Sequence, residues 1–191
     1  NEHVTPSDQW RFMQDGVVFV TFNNQAKPRG EIELISQNWW MGMASRAVGN
    51  GTFMFRGMLS LEPLTLGGDG YNELFQTGAT YRGRPLTDHQ HPHDFVMQLT
   101  AAWSRPLSPR TSITVAGGPV GEATLGPVAF MHRLSATENP FAALGHHTFD
   151  STHIVKGIIA TRLDHGPIAI EGSLFHGGEP DEDRWGISDV G

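Results

Sequence analysis

Residues 51–63 alternate apolar and polar side chains with a period of two, a pattern no helix satisfies. Phe53, Phe55, Gly57, Leu59 and Leu61 fall on one side of an extended chain; Thr52, Met54, Arg56, Met58, Ser60 and Glu62 fall on the other. Successive side chains of a strand point to opposite faces, so this segment is expected to be a strand with one greasy wall. Residues 94–105 repeat the pattern, with Phe95, Met97, Leu99, Ala101 and Trp103 against Gln98, Thr100, Ala102 and Ser104. Weaker copies put Trp39, Met41 and Met43 against Asn38, Gly42, Ala44 and Arg46, and Val155, Gly157, Ile159 and Leu163 against Lys156 and Arg162. A last one sets Ile168, Ile170 and Leu174 against Glu171 and Ser173.

These periods define one domain over 1–191 with seven strands, at 15–24, 34–47, 51–63, 94–105, 111–117, 153–164 and 167–177. Helical stripes do not survive the punctuation by Gly and Pro. Tight connections are expected at Val48-Gly49-Asn50-Gly51, at Arg105 to Arg110 and at Asp164-His165-Gly166-Pro167, the first carrying the Asn-Gly hairpin signal. Residues 64–93 and 118–152 are long loops by contrast. Short turns at one end and long loops at the other describe an all-β, antiparallel up-and-down barrel of the outer-membrane type. Several strands reach the ~9–11 residues that cross a bilayer at a tilt, and Trp39, Trp40, Trp103, Phe53 and Phe95 suit interfacial girdles. A soluble sandwich or lipocalin-like barrel alternates in the same way, with the greasy wall turned inward. Single-chain bacterial barrels use even strand numbers from about eight upward. Seven strands therefore imply one more, within 74–82 or near the N-terminus, or a fragment of a larger barrel.

Composition narrows the classes. Gly at 23 and Pro at 12 residues fit many short strands and turns. With no Cys, disulfide and thiolate-metal frameworks are excluded. A formal net charge of −7 disfavours a nucleic-acid partner, which needs clustered Lys and Arg. No apolar run approaches the ~18 residues of a membrane helix, a test that barrel strands need not meet. The chain lacks an initial Met and a signal peptide, as a mature or trimmed product would.

Ten histidines are present, nine of them between His89 and His176. His89, His91 and His93 fall on one side of an extended segment flanked by Asp88 and Asp94; His146, His147, Asp150 and His153 form a second group, and His132 stands between. Imidazole with carboxylate suits Zn, Cu, Ni or Fe, and both groups lie in or beside the long loops. The candidate ligands are His91, His93, His132, His146, His147 and His153, for a transition metal such as copper or zinc. The competing reading is that these histidines are solvated or bonded to Asp and backbone, since no His-Glu-x-x-His signature is present. Histidine also titrates near neutrality, so a pH-sensitive loop is open too. Met41, Met43, Met54 and Met58 are expected to pack, although thioethers can also select Cu(I). Glu179, Asp181, Glu182 and Asp183 read as a solvated loop. Arg46, Arg56, Lys156 and Arg162 would line a lumen, or pair there with Glu62 and Glu171.

Several stretches together carry a family resemblance. They are Pro28-Arg29-Gly30, Met58-Leu59-Ser60-Leu61-Glu62-Pro63, Glu73-Leu74-Phe75-Gln76-Thr77-Gly78, Gln90-His91-Pro92-His93-Asp94 and Ala129-Phe130-Met131-His132-Arg133. His146-His147, Asp150-Ser151-Thr152-His153 and the run from Phe175 to Glu182 complete them. The chain resembles a poorly characterised family of predicted bacterial outer-membrane β-barrel proteins, often encoded near copper and heavy-metal resistance systems. The resemblance implies an outer-membrane location, a link to copper, and further strands after the Glu-Pro-Asp segment, but no reaction.

The leading expectation is an outer-membrane barrel whose histidine loops bind or guide a transition metal, plausibly copper. Its partners would be outer-membrane lipid and other proteins of an envelope assembly. The rivals are a porin or structural subunit without metal, and a soluble β-protein metalloenzyme. The enzyme ranks last, because no nucleophile, base and orienting group can be placed together from spacing.

Overall fold

The computed structural model describes residues 8–67, 69–75, 80–124, 126, 129, 132–141 and 154–176. The chain is all-β and antiparallel. Seven strands form one sheet: β1 (Arg11–Val18), β4 (Asn38–Val48), β5 (Gly51–Leu59), β10 (Val96–Ser108), β11 (Thr111–Gly121), β12 (Val155–His165) and β13 (Ile168–His176). Each pairs with the next in that order, so the sheet is an up-and-down meander. Among the described residues β1 and β13 remain its two edges and the sheet does not close. Short hairpins interrupt the meander: β2 (Thr21–Asn24) with β3 (Ile32–Ile35), β6 (Tyr71–Asn72) with β9 (His89–Gln90), and β7 (Thr80–Tyr81) with β8 (Arg84–Pro85). A single helical turn, α1 (Glu62–Thr65), follows β5.

The connections sort by end. β4–β5, β10–β11 and β12–β13 are joined by two-residue turns at one end, whereas the β1–β4, β5–β10 and β11–β12 connections all lie at the other. Several boundaries differ from the sequence reading: the strand expected over 51–63 stops at Leu59, where α1 soon follows, and those expected over 94–105 and 111–117 run on to Ser108 and Gly121. The segment 15–24 is two strands, because the chain leaves the sheet at Phe19, whose N–H donates to Gln37 O, before β2 begins. The segment 34–47 divides likewise into β3 and β4. The turn expected over 105–110 shrinks to Pro109-Arg110, since β10 runs through Pro106. Pro106 sits beside a register shift between Pro106 and Ser108, the kind of irregularity where a missing N–H is tolerated. The long 64–93 segment is not structureless but carries β6 to β9.

Register decides which face is greasy. Phe55 lies opposite Ala44 and Ala101; Trp40 opposite Leu59; Trp103 opposite Phe53 and Val115; Leu163 opposite Ile113 and Ile170; Ile159 opposite Leu174. These positions form one continuous face, and it is open to the surroundings: Phe55 is 41% exposed, Leu59 44%, Ile170 67% and Leu174 76%. The opposite face carries Arg56, Thr100, Ala102, Thr114, Ala116, Ala160, Arg162 and Glu171. Near the loop end this second face holds the principal core, made of Met41, Met58, Met97, Val120, Ala129 and Ile154, with Trp39 and Met43 packed against it.

Four expectations about faces need correction. Trp39, Met41 and Met43 do not share the wall of Phe53 and Phe55; pairing of Met41 with Met58 and of Met43 with Arg56 puts them on the other face. Arg46 conversely lies opposite Phe53, on the greasy face near the tight turns, not in a lumen. Met97 leaves its period because two residues of β10 oppose one of β5 between Val96 and Gln98, and this bulge turns Met97 into the core. Gly157, at φ 59°, makes the matching bulge in β12. Val155 is thereby buried with Ala123 and Ile158 while Ile159 faces out.

Gly118 shows how tightly β10 and β11 approach at their own register shift: a Cβ there would stand 2.1 Å from Leu99 O. Backbone must move to admit it. Gly118→Ala is expected to destabilise the chain by about 1–3 kcal/mol, read as a shift in the urea unfolding midpoint, whereas Gly172→Ala, with open space around its Cβ, leaves the midpoint nearly unchanged.

Candidate functional site

The loop end concentrates buried polar groups, and Glu62 is its hub. Glu62 opens α1 directly after β5 and is 3% exposed. Its Oε1 accepts the Asn38 N–H at 3.3 Å; its Oε2 accepts the His93 backbone N–H at 2.8 Å and meets His93 Nδ1 at 2.7 Å. Asn38 returns the favour to the α1 entry. Its Oδ1 accepts the Leu61 N–H at 2.7 Å and its carbonyl accepts Ser60 Oγ–H at 2.8 Å. One carboxylate thus ties the start of β4, the end of β5 and the approach to β10. The sequence reading gave Glu62 a lumen cation as partner; the structure gives it His93 instead.

A second knot lies in the β6–β9 hairpin. Asn72 is fully buried; its N–H donates to Glu33 Oε1 at 2.6 Å, and its carbonyl accepts from Asn23 Nδ2 at 2.9 Å and Gln25 Nε2 at 3.0 Å. Asp88 accepts the Phe75 N–H at 2.8 Å and Arg29 Nε at 2.6 Å. The Phe75 amide, then the Arg29 guanidinium, hold the Asp88 carboxyl below the usual carboxylate range against the opposing effect of burial. Glu73 is the contrast. Both its oxygens are sealed from solvent without a hydrogen-bond partner among the described residues, and burial pushes its carboxyl up to about 8. Burial, with Glu73 and Glu62 nearby, raises the Tyr71 phenol well above its ordinary value.

The third component is Ala129 with residues 132–141, of which Ala136 packs against the methionine core. Ala129 is buried in the methionine core, and its N–H donates to Glu122 Oε1 at 3.3 Å. His132, half-buried, has its imidazole pushed down by burial first, with Arg56 pushing the same way and Glu122 and Asp15 opposing. Asp15 and Arg56 belong to β1 and β5, so His132 overlooks the polar face.

Of the expected ligands, His93 is bound to Glu62, His91 is half-buried beside it in sequence, and His132 stands apart over the sheet. His146, His147 and His153 lie outside the described residues, as does the acidic run 179–183. Among the described residues no group of three His, Asp, Glu or Cys side chains is placed to hold a metal ion. Glu62 and Asn38 stood out in the pattern only as polar-face residues, Glu62 as a partner for a lumen cation, and Glu73 only within a family motif; the bonds that make Glu62 a hub are not visible in the alternation. Comparison with protein-family models, with curated proteins and with solved structures returns no match.

What this arrangement does chemically is fasten loops and hold one neutral acid. Glu62→Ala leaves three buried N–H donors without an acceptor and is expected to cost about 3–5 kcal/mol, measured by urea unfolding. Glu73 gives a pH signature of known sign. Below pH 4.5 it is protonated folded or unfolded and contributes nothing. Between 4.5 and about 8 unfolding releases its proton, so stability falls as pH rises, by up to about 1.4 kcal/mol per pH unit, and levels off above. Glu73→Gln should match the parent chain at pH 4 and exceed it in stability at pH 8; unfolding curves at the two pH values check both.

Proposed function

We propose that this chain is a wall of a bacterial outer-membrane β-barrel, with its greasy face against lipid and its polar face on a water-filled interior. One observation carries the reading: most of the large side chains on the outward face of the sheet are apolar, and they are exposed, with Arg46 and Arg105 only near the tight turns. Water penalises such a surface at about 25 cal/mol per Å², and soluble monomers rarely present one on this scale. Lipid removes the penalty. A soluble sandwich or lipocalin-like barrel requires the same side chains to point inward, and the register opposes that.

Dimensions agree with a bilayer. The 11 residues of β12 extend roughly 36 Å, or about 27 Å along the membrane normal at a ~40° tilt, close to the ~25 Å apolar band of such barrels. The three tight turns at one end and the folded loops at the other suit the two sides of that membrane. The edges of β1 and β13 would pair with further strands, because an open edge cannot stand in hydrocarbon. In this role the barrel admits small solutes, with the loop knots at the end opposite the tight turns. A transition metal on the histidine loops, copper or zinc, has no three-donor group among the described residues to support it, and the porin-like reading does without one.

The lack of cysteine makes the test clean. Single cysteines at Phe55, Leu59, Ile159 and Ile170 are expected to resist a membrane-impermeant maleimide in reconstituted vesicles and to react with a lipid-soluble one. Cysteines at Thr100, Ala102 and Ala160 are expected to react with the impermeant reagent. Free aqueous reaction at the first set would refute the membrane wall.

A further inference from the structure

The polar face encloses a cavity of about 480 Å³, bounded by β5, β10, β11, β12 and β13 and by residues 122–124 at the loop end. Two arginines line it, and they differ. Arg162 is committed: Nε and Nη2 donate to Asp164 Oδ1 at 2.9 and 2.8 Å, and Nη1 donates to Glu171. Arg56 makes no hydrogen bond or ion pair with any described residue, and its Nε is sealed from solvent. Glu122 lines the same cavity, but it forms no ion pair with Arg56 and one of its oxygens is taken by the Ala129 N–H. Asp15, on the same face of β1, does not reach Arg56 either.

A guanidinium set into a wall with its donors unspent is an incomplete structure. Its planar fork matches the paired oxygens of a carboxylate or phosphate. The register supplies more donors on the same side. Thr100 lies directly across from Arg56 on β10, and Gln98, 8% exposed, lies one step along that face, opposite Met58. Both line the cavity. Its volume is within the range of pockets that hold metabolite-sized ligands.

We infer that Arg56, Thr100 and Gln98 form a binding site for a small oxyanion on the inner wall. The ligand is a solute bearing a carboxylate or phosphate, held by the guanidinium fork and oriented by the hydroxyl and amide. Taken with the barrel reading, on which its role as a station for passing solutes rests, the site makes the interior selective for anions. Binding itself does not depend on that reading, because it can be measured on chain held in detergent.

The test is isothermal titration of the full chain in detergent with inorganic phosphate and, separately, with succinate, chloride being the control anion. The parent chain is expected to bind phosphate, succinate or both, and the arm that responds names the source of the oxyanion. Arg56→Gln is expected to weaken the responding arm at least tenfold. Arg56→Lys, which keeps the charge and loses the fork, weakens it less, and Thr100→Val weakens it several-fold. Should Arg56→Gln fail to fold by far-ultraviolet circular dichroism, Arg56→Lys and Thr100→Val carry the comparison. Absence of heat with both anions, or parent-like affinity in the variants that fold, overturns the site. Maleimide labelling reports on the membrane wall independently, so the site can fail while the wall stands, and the reverse.

Discussion

The structure depends on where its apolar surface can go. A seven-stranded meander has two faces and a limited supply of greasy side chains, and here the exposed ones gather on the face without a core. In water that inversion would be unfavourable, because the exposed phenylalanines, leucines and isoleucines have no protein layer to cover them. In a bilayer the same arrangement is the stable one, since lipid satisfies the outer side chains and sheet pairing satisfies the backbone. The polar face then becomes an interior. Arg162 can stand on it because it pairs there with Asp164 and Glu171.

A sheet of this kind leaves its strand ends to be organised by something other than a hydrophobic core. At the turn end two-residue hairpins suffice. At the loop end the connections are long, and their backbone groups require partners. Glu62, Asn38, Asn72 and Asp88 meet that need by accepting or donating across segments apart in sequence, 13 to 59 residues for the bonds named above. The methionines below them fill the irregular space where loops enter the inner face. A flexible, unbranched side chain suits that position better than a branched one.

Period-two alternation made the sheet legible from the residues alone, and the three connections at its turn end followed from Asn-Gly, the proline-containing stretch 105–110 and Gly-Pro between strands. The phase of each strand was harder. Trp39, Met41 and Met43 are as apolar as Phe53 and Phe55, and only pairing with Met58 and Arg56 reveals that they point the other way. Bulges at Met97 and Gly157 shift the period by one residue, and a one-residue shift sends every later side chain to the opposite face. The loop-end knot was not readable at all. Its bonds join residues that nothing local connects, and three of the six candidate metal ligands, His146, His147 and His153, lie outside the described residues. His93 was expected as a metal ligand, and its imidazole meets a glutamate 31 positions earlier.

Trp39 and Trp40 offer the most direct measurement of the central claim, being adjacent in β4 and on opposite faces of the sheet. Two variants, each retaining one of this pair and carrying phenylalanine at Trp10, Trp103, Trp185 and the other position, can be reconstituted in vesicles of lipids brominated along the acyl chain. A lipid-facing convex wall predicts strong fluorescence quenching of Trp40 and weak quenching of Trp39. Equal quenching of the two, or stronger quenching of Trp39, would contradict it.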